Sequence, residues 1–260
     1  MSIKASGILE AFRLDGKVAI VTGASRGLGQ AMAAALAQAG ADVAGVGTGP
    51  ASPDTATLVE AAGRRYVHIS ADLSSTAPIA EIVAATKRAF GRIDILVNNA
   101  GIIRRNDSVD FTEEDWDAVM NVNLKSVFFL SQAVAREFIT QGSGGKIINI
   151  ASLLSFQGGI RIPSYTSAKS GIRGLTMLLS NEWAAKGIQV NGIAPGYMVT
   201  DNTEALRNDT KRYNEILGRI PAGRWGDPED MAGAVVFLSS QASNYINGQI
   251  LAVDGGWLGR

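Results

Sequence analysis

Short apolar runs alternate with longer stretches of helical periodicity along almost the whole chain. The apolar runs are continuous rather than alternating, which is typical of parallel strands buried on both faces. Seven such runs are present: KVAIV (17–21), DVAGVG (42–47), YVHISADL (66–73), IDILVNNAG (93–101), GKIINIAS (145–152), IQVNGIAPG (188–196) and QILAVDGG (249–256). The helical stretch 113–142 is long enough for one helix or two. This alternation predicts an α/β protein with a doubly wound parallel sheet of seven strands and helices on both faces.

No linker, internal repeat or shift in composition divides the chain of 260 residues. Residues 1–260 are therefore predicted to form a single domain, large enough to bury a sizeable core. The least regular part is 196–225, which follows the sixth predicted strand and carries many polar side chains. We expect this segment to be a mobile lid over a ligand, within the same domain.

Composition and charge exclude several classes of function. Lys and Arg number 24, as do Asp and Glu, so neither a nucleic-acid nor a membrane partner is predicted. The N-terminal stretch is interrupted by charges, and we expect neither a signal peptide nor an anchor. The chain has no cysteine, which excludes disulfides and thiol chemistry and fits a cytoplasmic location. His68, the only histidine, lies in a predicted strand, so it is interpreted as structural and no metal site is predicted.

A glycine-rich segment, TGASRGLG (22–29), joins the first predicted strand to the first predicted helix. Glycines at 23, 27 and 29 allow the backbone to turn sharply and to approach a pyrophosphate, which the N-terminus of the helix then binds. The spacing departs from the common G-x-G-x-x-G, and no P-loop lysine follows. A tightly packed turn without a ligand is the alternative, but the strand–turn–helix context favours a Rossmann-type dinucleotide site.

Polar residues follow two other predicted strands. NNAG (98–101) ends the fourth strand and Asp72 follows the third. The carboxyl ends of parallel strands are where such sheets bind ligands. Each of these residues alone is typical of a turn.

Tyr165 and Lys169 lie one helical turn apart in SYTSAK (164–169). A lysine ammonium near a phenol favours the phenolate, so we expect Lys169 to lower the pKa of Tyr165 and prepare it for proton transfer. Such a pair also occurs on solvated helix faces. Ser152 favours the chemical interpretation, because it ends the fifth predicted strand at the same edge of the sheet.

The motifs in this order resemble those of the short-chain dehydrogenase/reductase family, from about residue 14 to the C-terminus. They are TGASRGLG, NNAG, Asn123 in NVNLKS, Ser152, Tyr-x-x-x-Lys and APG (194–196). The tyrosine lies thirteen positions after the serine. The resemblance implies that Tyr165 is the general acid/base and that Lys169 lowers its pKa and holds the nicotinamide ribose. It also implies that Ser152 orients the substrate carbonyl and that Asn123 maintains a helix kink and a water that relays protons.

The resemblance further implies a nicotinamide dinucleotide cofactor. Its contacts would be Gly23, Ser25, Arg26, Gly27, Leu28, Gly29, Thr48, Asp72, Leu73, Asn99, Gly101, Tyr165, Lys169, Met198 and Thr200. Members that prefer NAD carry an acidic residue after the second strand, where this chain has Gly47 and Thr48. Arg26 could bind the 2′-phosphate of NADP. We expect NAD(H) to be favoured, with NADP(H) as the alternative.

Further segments, among them FQGGIRIPSY and IPAGRWG, resemble the branch of the family that acts on keto and deoxy sugar acids. The substrate is therefore predicted to be a small keto sugar acid. Because such an acid carries a carboxylate, we expect Arg161, Arg104 or Arg105 to face the substrate, the first two before the third. Gln157 is a candidate for bonding a sugar hydroxyl.

The family resemblance also implies a homotetramer. The apolar tail WLGR at the C-terminus is expected to reach toward a neighbouring subunit.

Two other functions stay open at this point. A 3-oxoacyl carrier-protein reductase would need a basic patch near the active site, which Arg104 and Arg105 could supply. A non-catalytic dinucleotide sensor on the same fold would be expected to lack the tyrosine or the lysine.

Overall fold

The computed structural model describes residues 7–260, which form seven strands and nine α-helices. The strands are β1 Val18–Thr22, β2 Asp42–Gly47, β3 Tyr66–Ser70, β4 Ile95–Asn98, β5 Gly145–Ile150, β6 Ile188–Pro195 and β7 Ile250–Val253. The helices are α1 Gly27–Gln38, α2 Pro53–Ala61, α3 Ile79–Phe90, α4 Glu113–Met120, α5 Ser126–Gln141, α6 Pro163–Trp183, α7 Glu204–Asn208, α8 Thr210–Arg219 and α9 Ala232–Ser239.

All seven strands pair in parallel in the order β3-β2-β1-β4-β5-β6-β7. The chain order reverses between β1 and β4, which makes this the switch point where open α/β sheets bind ligands at the carboxyl ends of the strands. The predicted doubly wound Rossmann-type sheet is confirmed.

Two apolar clusters cover the two faces of the sheet. One contains Met32 and Leu36 of α1 together with Val235 of α9. The other contains Leu130 and Phe138 of α5 with further side chains of α3 and α6. Strands β1 and β4 are buried along their whole length, which explains why their sequences are continuously apolar. Truncating a fully buried leucine at such a position costs about 2–5 kcal/mol.

The long helical stretch after β4 is neither one regular helix nor two separate ones. Helix α4 continues through a π-helical turn, Asn121–Lys125, directly into α5. Such turns are frequent at functional sites. The third and fourth strands are shorter than predicted, because Asp72, Leu73 and the sequence after Asn98 already belong to loops.

The segment 196–225 is more regular than its sequence indicates. It forms a short 3-10 turn, Asp201–Thr203, and then α7 and α8. The side chain of Asp209 caps α8 by accepting hydrogen bonds from the backbone of Lys211 and Arg212. The apolar face of α8 buries Ile216 in a small separate cluster. The lid motion of this segment stays a prediction.

The C-terminal tail packs on its own chain. Trp257 is buried beside Tyr197, with 4.7 Å between the ring centroids, and Arg219 lies over the indole ring. Trp257 is thus covered within the subunit, and the expectation that the tail reaches a neighbouring subunit stays a prediction.

Candidate active site

A cleft of about 410 Å³ runs along the carboxyl ends of the strands. It is lined by the turn after β1 and by residues that follow β2, β3, β4, β5 and β6. Sixteen of the residues predicted for the site line it: Gly23, Ser25, Arg26, Gly27, Leu28, Gly29, Thr48, Asp72, Leu73, Asn99, Gly101, Ser152, Tyr165, Lys169, Met198 and Thr200. Val122, which lies in NVNLKS, and Asp201 and Asn202 also line the cleft; the sequence analysis did not name them as site residues.

The glycine-rich turn has the geometry of a cradle for a pyrophosphate. Gly23 and Gly27 have positive φ angles of 66° and 54°, which side chains with a Cβ rarely adopt. A Cβ on Gly29 would overlap the carbonyl oxygen of Gly23. The turn leads into the N-terminus of α1, where free backbone N–H groups favour an anion. These residues fit a dinucleotide.

Asn99 fastens this turn to the end of β4. Its side-chain nitrogen donates to the carbonyl oxygens of Thr22 at 2.9 Å and Gly23 at 3.2 Å. The hydroxyl of Thr22 in return accepts from the backbone N–H groups of Asn99 and Ala100. The side-chain nitrogen of Asn99 therefore stabilises the shape of the turn. A ribose of the dinucleotide would have to bond other polar atoms of Asn99.

The catalytic candidates meet at the other end of the cleft. Ser152 follows β5, and its hydroxyl accepts a hydrogen bond of 3.2 Å from the backbone of Leu154, so that it caps the next turn. Tyr165 and Lys169 lie in the first two turns of α6. The ammonium nitrogen of Lys169 lies 5.7 Å from the centroid of the Tyr165 ring and is buried.

The expectation that Lys169 lowers the pKa of Tyr165 stays a prediction. Burial raises the pKa of Tyr165 above its ordinary value, and the neighbouring Ser152 hydroxyl and the charge of Arg105 offset this only in part. Burial also lowers the pKa of Lys169 itself to about 8. The ammonium also donates to the carbonyl oxygen of Ile150 at 2.6 Å, which ties α6 to the end of strand β5.

Asn123 is fully buried in the π-helical turn and does not line the cleft. Its side chain accepts from the backbone N–H of Ile102 and donates to the carbonyl oxygen of the same residue, both at 2.9 Å. This double hydrogen bond fixes the loop after β4 against the helix. The π turn lies where the resemblance implies a kink; the kink and the proton-relaying water stay predictions.

The three arginines considered for the substrate have different surroundings. The guanidinium of Arg104 pairs with Asp115 at 3.2 Å and that of Arg161 with Asp107 at 2.9 Å, and neither lines the cleft. The order of preference given to Arg104 and Arg161 stays a prediction, and each side chain would have to exchange a surface carboxylate for that of the substrate. Arg105 does not line the cleft either, but its guanidinium donates to the carbonyl oxygen of Asn202, which does, at 3.0 Å.

The amide oxygen of Gln157 accepts a hydrogen bond of 3.1 Å from the indole of Trp257. Gln157 does not line the cleft, and the structure uses its oxygen to hold the C-terminal tail.

No carboxylate follows β2 at the adenine end of the cleft, where Gly47 and Thr48 lie. Arg26 pairs with Asp201 at 3.0 Å, and both side chains are largely exposed. His68 bonds the carbonyl oxygen of Gly49 at 2.8 Å, in agreement with a structural role. Within residues 7–260 no cluster of His, Asp or Glu could hold a metal ion. In the same range no helix is long and apolar enough to cross a membrane.

Comparison with known proteins agrees with this geometry. A family model described as enoyl-(acyl carrier protein) reductase matches residues 23–258. The chain is 59% identical over 253 residues to 2-dehydro-3-deoxy-D-gluconate 5-dehydrogenase of Escherichia coli (strain K12), which covers 97% of this chain and 100% of that protein.

Two solved structures are similar over almost the whole chain. An Agrobacterium tumefaciens protein with bound NADP is 57% identical, with a TM-score of 0.90 and coverage of 96% of this chain and 99% of that one. The gluconate 5-dehydrogenase of Burkholderia cenocepacia J2315, in complex with NADP and tartrate, is 42% identical, with a TM-score of 0.91 and coverage of 97% and 99%. These neighbours support a pyridine nucleotide and give no support for favouring NAD(H). The chain belongs to the short-chain dehydrogenase/reductase family.

Proposed function

We propose that this protein is a nicotinamide-dependent oxidoreductase that interconverts a hydroxyl and a ketone on a keto-deoxy sugar acid of the gluconate or uronate type. One observation carries the proposal. Ser152, Tyr165 and Lys169 meet at one end of a single cleft whose other end is a glycine cradle, and the chain is 59% identical to a dehydrogenase of such an acid.

The residues of the cleft divide the proton chemistry between them. When bound, the nicotinamide supplies or accepts the hydride. Tyr165 gives its phenolic proton to the ketone oxygen during reduction and takes a proton from the hydroxyl during oxidation. The Ser152 hydroxyl orients that oxygen. The Lys169 ammonium supplies the positive charge that stabilises the phenolate left by proton transfer, an interaction that gains strength because the site is buried.

We infer that Arg105 binds the substrate carboxylate. Its positive charge favours the phenolate of Tyr165 and so lowers the pKa of that group. It donates to Asn202, which lines the cleft, and no carboxylate pairs with it anywhere in residues 7–260. A guanidinium held by a neutral carbonyl oxygen is open to a bidentate contact with a carboxylate, whereas Arg104 and Arg161 are already paired.

NADP(H) is proposed as a cofactor beside NAD(H). Because β2 is not followed by a carboxylate, nothing at this position would repel a 2′-phosphate. Two similar structures contain NADP. Arg26 is the cation proposed to contact this phosphate, after exchanging its exposed partner Asp201. The preference for NAD(H) stays a prediction from sequence alone.

The activity can be tested by initial rates of NADPH and NADH oxidation with three ketones. The panel contains a 5-keto-deoxy uronate, an acetoacetyl thioester and a neutral keto sugar. The proposal predicts a kcat/KM at least about 100-fold higher for the uronate, since only this ketone offers a carboxylate to Arg105. Faster reduction of the thioester would instead favour a 3-oxoacyl carrier-protein reductase, in line with the description of the matching family model. Turnover of none of them would favour a dinucleotide sensor.

A homotetramer is also proposed. Large apolar side chains are exposed on α5, at Phe129 and Ile139, and on the edge strand β7, at Leu251. Such faces are typical of surfaces buried between subunits. Light scattering coupled to gel filtration should give four times the mass of 27.2 kDa. The cytoplasmic location stays a prediction.

A further inference from the structure

A second cavity, of about 450 Å³, lies at the opposite edge of the sheet from the active site. It is lined by the amino-terminal ends of β4, β5 and β6, by Lys17 just before β1, and by the loop after α9. We name it the amino-edge cavity; Lys17, Asp94, Lys146, Gln189 and Asn244 are among its polar lining residues. Nothing in the proposed reaction uses it.

Lys146 is a buried cation without an acidic partner. The residue is 8% exposed, and its ammonium donates to the amide oxygen of Asn244 at 2.9 Å and to the hydroxyl of Ser243 at 3.4 Å. No carboxylate lies within 4.0 Å of it in residues 7–260. Residues 1–6, outside the described part, include no aspartate or glutamate in their sequence. A buried charge without a counter-charge is costly, so an anion here would stabilise the protein.

The one carboxylate at this cavity is already shared. Asp94 pairs with Lys17 at 3.0 Å and with Arg92 at 2.6 Å, and it also accepts from the backbone of Val18. The cavity therefore has a net positive charge. Burial, together with the charge of Lys17, lowers the pKa of Lys146 to about 8, which agrees with two ammonium groups that repel each other.

We propose that the amino-edge cavity binds a small oxyanion with two negative charges, between the ammonium groups of Lys17 and Lys146. Lys146 gains a charged partner and Lys17 a second one beside Asp94, and the amides of Gln189 and Gln241, which also line the cavity, are further donors within it. Two sources share this chemistry, a phosphate and a dicarboxylate. The site is separate from the nucleotide cradle because it lies beyond the other ends of the strands.

The test measures anion binding while the nucleotide cradle is filled. Calorimetry with potassium phosphate and with malonate is carried out at pH 7, at constant ionic strength set with chloride and with saturating NADPH. We expect about one phosphate or malonate per subunit, and a melting temperature that rises with the anion concentration. Binding of phosphate alone or of malonate alone identifies the source, and either result supports the site.

Two variants and one control make the assignment specific. Lys146→Met should abolish the binding, and Lys17→Met, which leaves Asp94 its partner Arg92, should weaken it at least about tenfold because one of two charged contacts is lost. Lys186→Met removes the same charge from an exposed position nearby and should bind the anion like the parent protein. No binding of either anion to the parent protein would overturn the proposal. Unchanged anion binding by Lys146→Met would also overturn it. If Lys146→Met does not fold, unchanged binding by Lys17→Met would overturn it.

Discussion

The ammonium of Lys169 donates a 2.6 Å hydrogen bond to the carbonyl oxygen of Ile150, the last residue of β5. Ser152 follows two residues later, so the lysine fastens α6 to the end of the strand that leads to the serine. The same contact leaves the ammonium 5.7 Å from the centre of the Tyr165 ring. Lys169 thus has two roles in this account, as an anchor for the geometry of the site and as its buried cation.

The rate of ketone reduction should depend on the protonation of Lys169. Its pKa is lowered to about 8, so the ammonium is charged below that pH and neutral above it. Tyr165, whose pKa is raised, keeps the proton that reduction needs through the same range. We expect kcat/KM for reduction to fall above about pH 8, and a pH profile from 6 to 10 measures it. A flat profile across pH 8 would contradict this role of the lysine.

Arg105→Met should raise KM for a keto-deoxy uronate by about tenfold or more, because a charged hydrogen bond to the carboxylate is lost. KM for a neutral keto sugar should change little. Arg104→Met and Arg161→Met are the matched controls, since both side chains pair with surface carboxylates outside the cleft. A larger effect of either control on the uronate would assign the contact to that arginine instead.

Arg26→Met should raise KM for NADPH by about tenfold and leave KM for NADH nearly unchanged, because only NADPH carries the 2′-phosphate. Steady-state kinetics with both reduced nucleotides at saturating ketone measure this. Asp201→Asn removes the partner of Arg26 and should lower KM for NADPH. Equal effects of Arg26→Met on both nucleotides would place the arginine away from the 2′-position.

Lys146 should make the folded protein more stable as the pH rises above 8. Its pKa is about 8 in the folded state against 10.5 for an ordinary lysine, so between these values the unfolded state binds more protons. The free energy of unfolding then gains about 1–2 kcal/mol from pH 7.5 to 9.5. Lys146→Met should lack this gain, while Lys169, with the same shift, contributes equally to both proteins. Urea unfolding of the parent protein and of Lys146→Met at pH 7.5 and 9.5 measures this gain. An equal change in the free energy of unfolding of both proteins would refute the assignment.

The sheet and most of the cleft could be predicted from the sequence because they depend on local patterns. Continuous apolar runs gave β1 to β7, and the glycines of the first turn, Ser152 and the Tyr165–Lys169 pair follow from residue type and spacing. Their convergence follows from the parallel order of the strands, which brings their carboxyl ends to one edge.

What the sequence could not give depends on contacts between distant parts of the chain. The raised pKa of Tyr165 results from burial, which no spacing reveals. Arg104 and Arg161 differ from Arg105 only through their partners Asp115 and Asp107, which belong to neighbouring elements. Trp257 packs against the apolar face of α8, in the same cluster as Ile216. The sequence did not predict this contact, because the segment that contains α8 is rich in polar residues.

The central claim is that the phenol of Tyr165 transfers the proton while the rest of the site binds the nucleotide. Tyr165→Phe removes one oxygen and keeps the ring, so the packing of α6 is preserved. Single-turnover oxidation of NADPH with a keto-deoxy uronate, together with the dissociation constant of NADPH, measures both parts. We predict a rate at least about 1000-fold lower with nucleotide affinity within a few-fold of the parent. A variant that oxidises NADPH at the parent rate would contradict the account.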